Sequence, residues 1–194
     1  MVGACGRTGS AFDSAAEDRC TADGDGFFAT VVLDYEPSII DFAAADDEAV
    51  DPQTSLGPPD ARPTPPLGAV SLGEGGTLTL GFSPCFVGTD GTSAPDLVIH
   101  EFGYSERTTV ALLPTDRTRV LLGSVLGVDG YVVIEGPPDS VDFDIDATLS
   151  EIPPDAREFA AVRLRDVAEQ GENTADTPGA DIDAVEAMVP VPQR

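Results

Sequence analysis

The chain has 194 residues, a net charge of −25 at neutral pH and an isoelectric point near 4.1. All ten basic residues are Arg, set against 35 acidic ones, which disfavours nucleic acid, a partner that requires a basic footprint, and an anionic membrane surface. Val, Leu, Ile and Phe supply about a quarter of the chain, above the ~20% below which high charge reads as disorder, and no apolar run approaches the ~18 residues of a membrane span.

Residues 1–26 are rich in Gly, Ser, Asp and Ala without a period of 2 or 3.6, and read as a flexible leader. Thr21-Ala22-Asp23-Gly24-Asp25-Gly26 hints at a calcium loop, but Phe27 and Phe28 arrive where an EF-hand needs more ligands and a closing Glu. A solvated linker is therefore expected there. From Phe27 onward short β segments alternate with turn signals. Strands are predicted over residues 27–35, 69–72, 77–82, 96–102, 108–113, 119–122, 131–135, 141–145, 159–165 and 181–189. A long acidic stretch, 41–60, follows the first, and Gly73-Glu74-Gly75-Gly76 reads as a hairpin turn between 69–72 and 77–82. Leu78, Leu80 and Phe82 share one face of their strand while Thr77 and Thr79 share the other, the mark of a half-buried strand. Val162 and Leu164 alternate in the same way with Arg163 and Arg165. One short helical turn is expected over 155–159. Many short strands, with 20 Gly and 17 Pro between them, predict an all-β, antiparallel two-sheet sandwich of jelly-roll type over residues 27–190, with 191–194 as a tail.

The acid excess must repel itself unless salt screens it or cations bind. It is consistent with adaptation to salinity, with divalent-cation binding, or with GC-rich codons, which also disfavour Lys. The cysteines, Cys5, Cys20 and Cys85, form no C-x-x-C pair, so neither a zinc ribbon nor a thioredoxin-like motif is supported. Val2-Gly3-Ala4-Cys5 resembles a bacterial lipobox, in which small residues precede a lipidated Cys, although the charged and apolar regions of a signal peptide do not precede it. On that resemblance Cys5 is the lipidation site and Cys20–Cys85 the disulfide of an exported protein; Cys5–Cys20 pairing is the alternative if Cys5 carries no lipid.

An ordered set of segments carries a family resemblance: Ser55-Leu56-Gly57-Pro58-Pro59-Asp60, the run from Val70 to Phe82 with its glycine-rich turn, Pro95-Asp96-Leu97-Val98-Ile99-His100-Glu101-Phe102-Gly103, and Asp181-Ile182-Asp183-Ala184-Val185. Together they resemble secreted bacterial surface domains with a galactose-binding-like jelly roll, similar in outline to discoidin-type and carbohydrate-binding modules. The resemblance implies an extracellular or cell-surface location, binding or adhesion without a defined reaction, and a structural calcium ion. One departure stands out: such modules offer Trp or Tyr platforms to sugars, and this chain has no Trp and only Tyr35, Tyr104 and Tyr131.

Side-chain parity adds to the calcium expectation. On 96–102, Glu101 shares a face with Leu97 and Ile99; on 181–189, Asp181 and Asp183 share a face with Val185, Ala187 and Val189. An inward carboxylate is costly unless paired or metal-bound, and hard oxygen ligands suit calcium. Asp51 and Asp60 from the acidic loop complete the expected set with Glu101, Asp181 and Asp183. Catalysis is not expected. His100 is the only His and has no nucleophile motif beside it, and neither G-x-S-x-G nor a phosphate-binding fingerprint occurs. The expected function is a non-catalytic binding or adhesion module of the cell surface, with polysaccharide or another surface protein as partner. The alternatives are a purely structural lipoprotein domain and, less favoured, a two-carboxylate glycoside hydrolase.

Overall fold

The computed structural model describes residue 20 and residues 27–38, 47–63, 66–103, 107–134, 136, 141–167 and 179–193. The expectations for the rest of the leader, the 21–26 loop and the lipidated Cys5 lie outside these residues. The strands are β1 (Phe27–Phe28), β2 (Val31–Glu36), β3 (Arg62–Pro63), β4 (Pro66–Leu67), β5 (Val70–Ser71), β6 (Thr77–Gly81), β7 (Cys85–Val87), β8 (Leu97–Glu101), β9 (Thr108–Pro114), β10 (Val132–Ile134), β11 (Asp142–Phe143), β12 (Phe159–Asp166), β13 (Asp181–Ala187) and β14 (Pro190–Pro192). The described residues include helices α1 (Asp116–Leu122) and α2 (Ile145–Thr148).

Two antiparallel sheets carry the fold. One runs β1-β13-β8-β11, with β5 also on β13; the other runs β10-β9-β12-β6-β2, with β7 bridging β12 and β14. Register places whole rows of apolar side chains on the inner face of the larger sheet. One row is Val32, Leu80, Val162, Leu112 and Val132; the next is Tyr35, Leu78, Leu164, Val110 and Ile134. These pack with Leu97, Ile99, Ile182 and Val185 from the smaller sheet, and with Phe82 and Phe159, in one continuous core. Each fully buried side chain of this size contributes about 1.5–3 kcal/mol by leaving water. The fold is thus an all-β sandwich, as the alternation in β6 and β12 requires.

Several local expectations fail for identifiable reasons. The predicted strand 27–35 is two strands in different sheets. Ala29 donates its N–H to Val185 O and Thr30 to Gly81 O, each at 2.9 Å, so the chain changes sheet between them. The glycine-rich turn is likewise not a hairpin. β5 pairs with β13 in one sheet while β6 pairs with β12 and β2 in the other. Asp166 ties this crossing down, accepting from Gly75 N at 2.8 Å and Ala180 N at 3.2 Å. At Gly76 an added Cβ would run into the Leu72 carbonyl.

Residues 119–122 belong to helix α1, not to a strand. Thr115 caps it by accepting from Thr118 N, and only Thr118 and Leu122 turn inward. The apolar run Val120-Leu121-Leu122 therefore faces mostly outward. The predicted strand 141–145 shortens to β11 because Asp144 caps α2, accepting from Ala147 N at 3.0 Å. The turn expected over 155–159 is a 3-10 turn, Pro154–Ala156, and Phe159 begins β12. Strand β14 takes in Val191 and Pro192 from the supposed tail, pairing with β7. Cys20 and Cys85 are joined by a disulfide, with Cα atoms 5.8 Å apart and both residues buried. Among the described residues no helix is long and apolar enough to cross a membrane.

Candidate functional site

Three segments meet at one end of the sandwich: the loop 88–96 from β7 to β8, residues 144–149 around α2, and residues 152–158 leading into β12. Asp90 starts the first as a tight polar turn, its Oδ1 accepting from Thr92 N at 2.8 Å. Gly91 follows at φ +79°, and a Cβ there would sit 2.9 Å from Pro154 Cγ. Glycine thus meets both the backbone conformation and the close approach of the third segment.

Asp96, fully buried, is the centre of this meeting point. Its Oδ2 accepts from Ile145 N at 3.0 Å and its Oδ1 from Asp90 N at 3.3 Å. Its own backbone donates to Phe143 O and accepts from Met188 N, both at 2.9 Å. Burial raises the Asp96 carboxyl to about 6; the amides of Ile145 and Asp90 oppose the rise, and the nearby charges of Asp90 and Asp144 add to it. Asp146 accepts from Gly91 N at 2.6 Å through Oδ2. Its Oδ1 pairs with the Nη1 of Arg157, a guanidinium only 4% exposed. Burial lowers the pKa of Arg157, and the charges of Asp96 and Asp144 act in the opposite sense.

Carboxylate oxygens of Asp90, Asp96 and Asp146 lie within 4.8 Å of one another, the one such acidic trio among the described residues. They do not make a calcium cage. Calcium takes about six to eight oxygens, whereas here both oxygens of Asp96 hold amides and Asp146 is neutralised by Arg157. The guanidinium supplies the compensating positive charge.

Beside Arg157 opens a cleft of about 260 Å³, lined by Thr89, Arg117, Pro154, Asp155, Arg157, Glu158 and Val191. Its far wall is tied together by hydrogen bonds. Thr118 Oγ1 donates to Ala156 O at 2.7 Å and accepts from Glu158 N at 2.9 Å, fastening α1 to the third segment. Arg117 Nη1 donates to Glu158 Oε1 at 3.2 Å. Arg117 Nη2 lies 3.9 Å from Asp155 Oδ2, between side chains 52% and 83% exposed.

The five residues expected to bind calcium gather around the start of β13 without converging. A β-bulge between Ile182 and Ala184 breaks the assumed parity, so Ile182, and not Asp181, enters the core beside Val185. Asp183 is buried and its Oδ1 accepts from Asp60 N at 3.0 Å and Ala61 N at 3.2 Å. Asp51 caps the 3-10 turn Pro52–Ser55, accepting from Gln53 N at 3.0 Å. Asp181 stands opposite Ser71 and Glu101 opposite Ile182. No three of the five bring ligand oxygens within 4.8 Å of one another among the described residues. His100 lies on β8 with Nε2 2.9 Å from Glu186 Oε2, and the Phe28 ring is 6.0 Å away.

No sequence pattern singles out Thr89, Asp90, Asp96, Asp146 and Arg157 as a site. Two signals were present: the Asp90-Gly91-Thr92 turn, and the Asp142-x-Asp144-x-Asp146 run beside Arg157, one of only ten cations. No known family model matches the chain, and no curated protein matches it.

Proposed function

We propose that the chain is a non-catalytic binding or adhesion domain of an exported cell-surface protein, with polysaccharide or another surface protein as its partner. Kinship with galactose-binding-like jelly rolls is part of this proposal. The observation that carries it is the loop end itself. Three loops are locked together by a buried Asp–Arg network and present a cleft on a rigid sandwich, an arrangement suited to holding a ligand. The buried acids there, Asp96 and Asp146, are committed to structure. A hydrolase needs a carboxyl of raised pKa facing substrate, whereas Asp96, whose carboxyl is raised, is fully buried with both oxygens taken by amides. The disulfide supports export, since such bonds persist in oxidising compartments. Calcium is not carried into this proposal, because among the described residues no three of Asp51, Asp60, Glu101, Asp181 and Asp183 bring ligand oxygens together.

Depletion of the protein from solution by a panel of insoluble polysaccharides, with titration of the soluble ones, tests the reading. Saturable binding without release of reducing ends is expected. Turnover abolished by a single carboxylate-to-amide change would replace the proposal with a hydrolase. Failure of every polysaccharide to bind would remove its polysaccharide arm.

A further inference from the structure

We propose that the cleft beside Arg157 binds a small zwitterion carrying a carboxylate and an ammonium group, as a neutral α-amino acid does. The inference goes beyond adhesion and does not require it. Three polar atoms of the cleft residues are buried without a hydrogen-bond partner: Thr89 Oγ1, on a residue 8% exposed, and Arg157 Nε and Nη1, on a residue 4% exposed, with Nη1 against Asp146 Oδ1. A native fold rarely leaves such donors unsatisfied, since each costs about 1–3 kcal/mol. Both residues line the same cleft, and a carboxylate is the strongest acceptor for a guanidinium N–H.

A purely anionic ligand would meet the field of a chain of net charge −25 and the carboxylates of Asp155 and Glu158 at the same cleft. A purely cationic ligand would leave Thr89 and Arg157 unsatisfied. A zwitterion meets both demands, with its carboxylate inward and its ammonium at Asp155. That side chain is 83% exposed and touches Arg117 only at 3.9 Å. Such an exposed pair contributes little, so it parts at small cost and leaves Asp155 to the ammonium. The volume of about 260 Å³ far exceeds the roughly 10–15 Å³ that admits one water and leaves room for a single amino acid.

Calorimetric titration of the intact chain with L-alanine and L-glutamine tests this, with propionate, ethylamine and methyl glucoside as single-function controls. Saturable binding of at least one amino acid is expected, with propionate and ethylamine about tenfold weaker or more. Thr89→Val, close in shape to the native residue, should weaken the amino acid and propionate alike by roughly fivefold. Asp155→Asn, at an exposed site, should weaken the amino acid and leave propionate unchanged. Melting curves confirm that both variants fold. The proposal is overturned if neither amino acid gives saturable heat, if propionate or methyl glucoside binds as tightly, or if both variants leave amino-acid binding unchanged. Polysaccharide adhesion that persists in Thr89→Val shows that the adhesion reading stands apart from this site.

Discussion

Asp96 makes the stability of this acidic protein depend on pH in a predictable way. In the unfolded chain its carboxyl titrates in the ordinary range, near ~3.9, whereas burial in the fold raises it to about 6. A raised acid binds its proton more tightly in the folded state. Its stabilising contribution is therefore fully present below the unfolded pKa and is lost as pH rises through the folded one. Between pH 7 and pH 5 the folded state takes up most of a proton and the unfolded state almost none, so stability should rise by about 1.3 kcal/mol on acidification. Urea unfolding at pH 7, 6 and 5, at constant ionic strength, measures the rise. Asp96→Asn removes the titrating group. It also leaves only one acceptor oxygen for the amides of Ile145 and Asp90, so the variant should be less stable at pH 5 by about 1–3 kcal/mol. Its stability should nevertheless be flatter than wild type between pH 7 and 5, which separates Asp96 from general charge repulsion. A wild-type stability that is level or falls on acidification, or an Asp96→Asn variant with the wild-type slope, refutes the reasoning.

Gly76→Ala should destabilise by about 2–3 kcal/mol or prevent folding, because its Cβ meets the Leu72 carbonyl, a backbone atom that cannot rotate away; a denaturant midpoint equal to wild type would contradict this. Reduction of Cys20–Cys85, separated by 65 residues in sequence, should lower stability by roughly 4 kcal/mol through the freed loop; matched unfolding curves with and without reductant report it. Sodium chloride from low salt to about 1 M should raise the melting temperature, as the Debye length shrinks from about 8 Å at physiological strength to about 3 Å. Calcium chloride at equal ionic strength should raise it no further, and an additional saturable rise would restore a calcium site.

The two-sheet core was legible because its period is local. Leu78 and Leu80, and Val162 and Leu164, alternate with polar neighbours along single strands, and any register that buries one of each pair buries the other. Cys85 in β7 and Pro190 to Pro192 in β14 were not legible as strands, since short segments next to Pro carry no period. The site was legible only as an excess of acid. Asp96 looks on paper like any other of 35 acidic residues; its raised carboxyl arises from burial, which outweighs the amides of Ile145 and Asp90 that reach it from distant or looped-back chain.

The sequence by itself determined the composition, the sheet-forming alternation and the glycine positions, because these depend on a residue and its nearest neighbours. Tertiary structure alone decided which sheet each strand joined. The Gly73–Gly76 turn suits a hairpin as well as a crossing, and the choice fell to β13, more than 100 residues further on, which takes β5 as its partner. It alone placed the bulge at Asp183 that sent Ile182 into the core, and it alone set Arg157 against Asp146 beneath the cleft. Those outcomes rest on burial and hydrogen bonds between segments remote in the chain, and no local pattern encodes such partners.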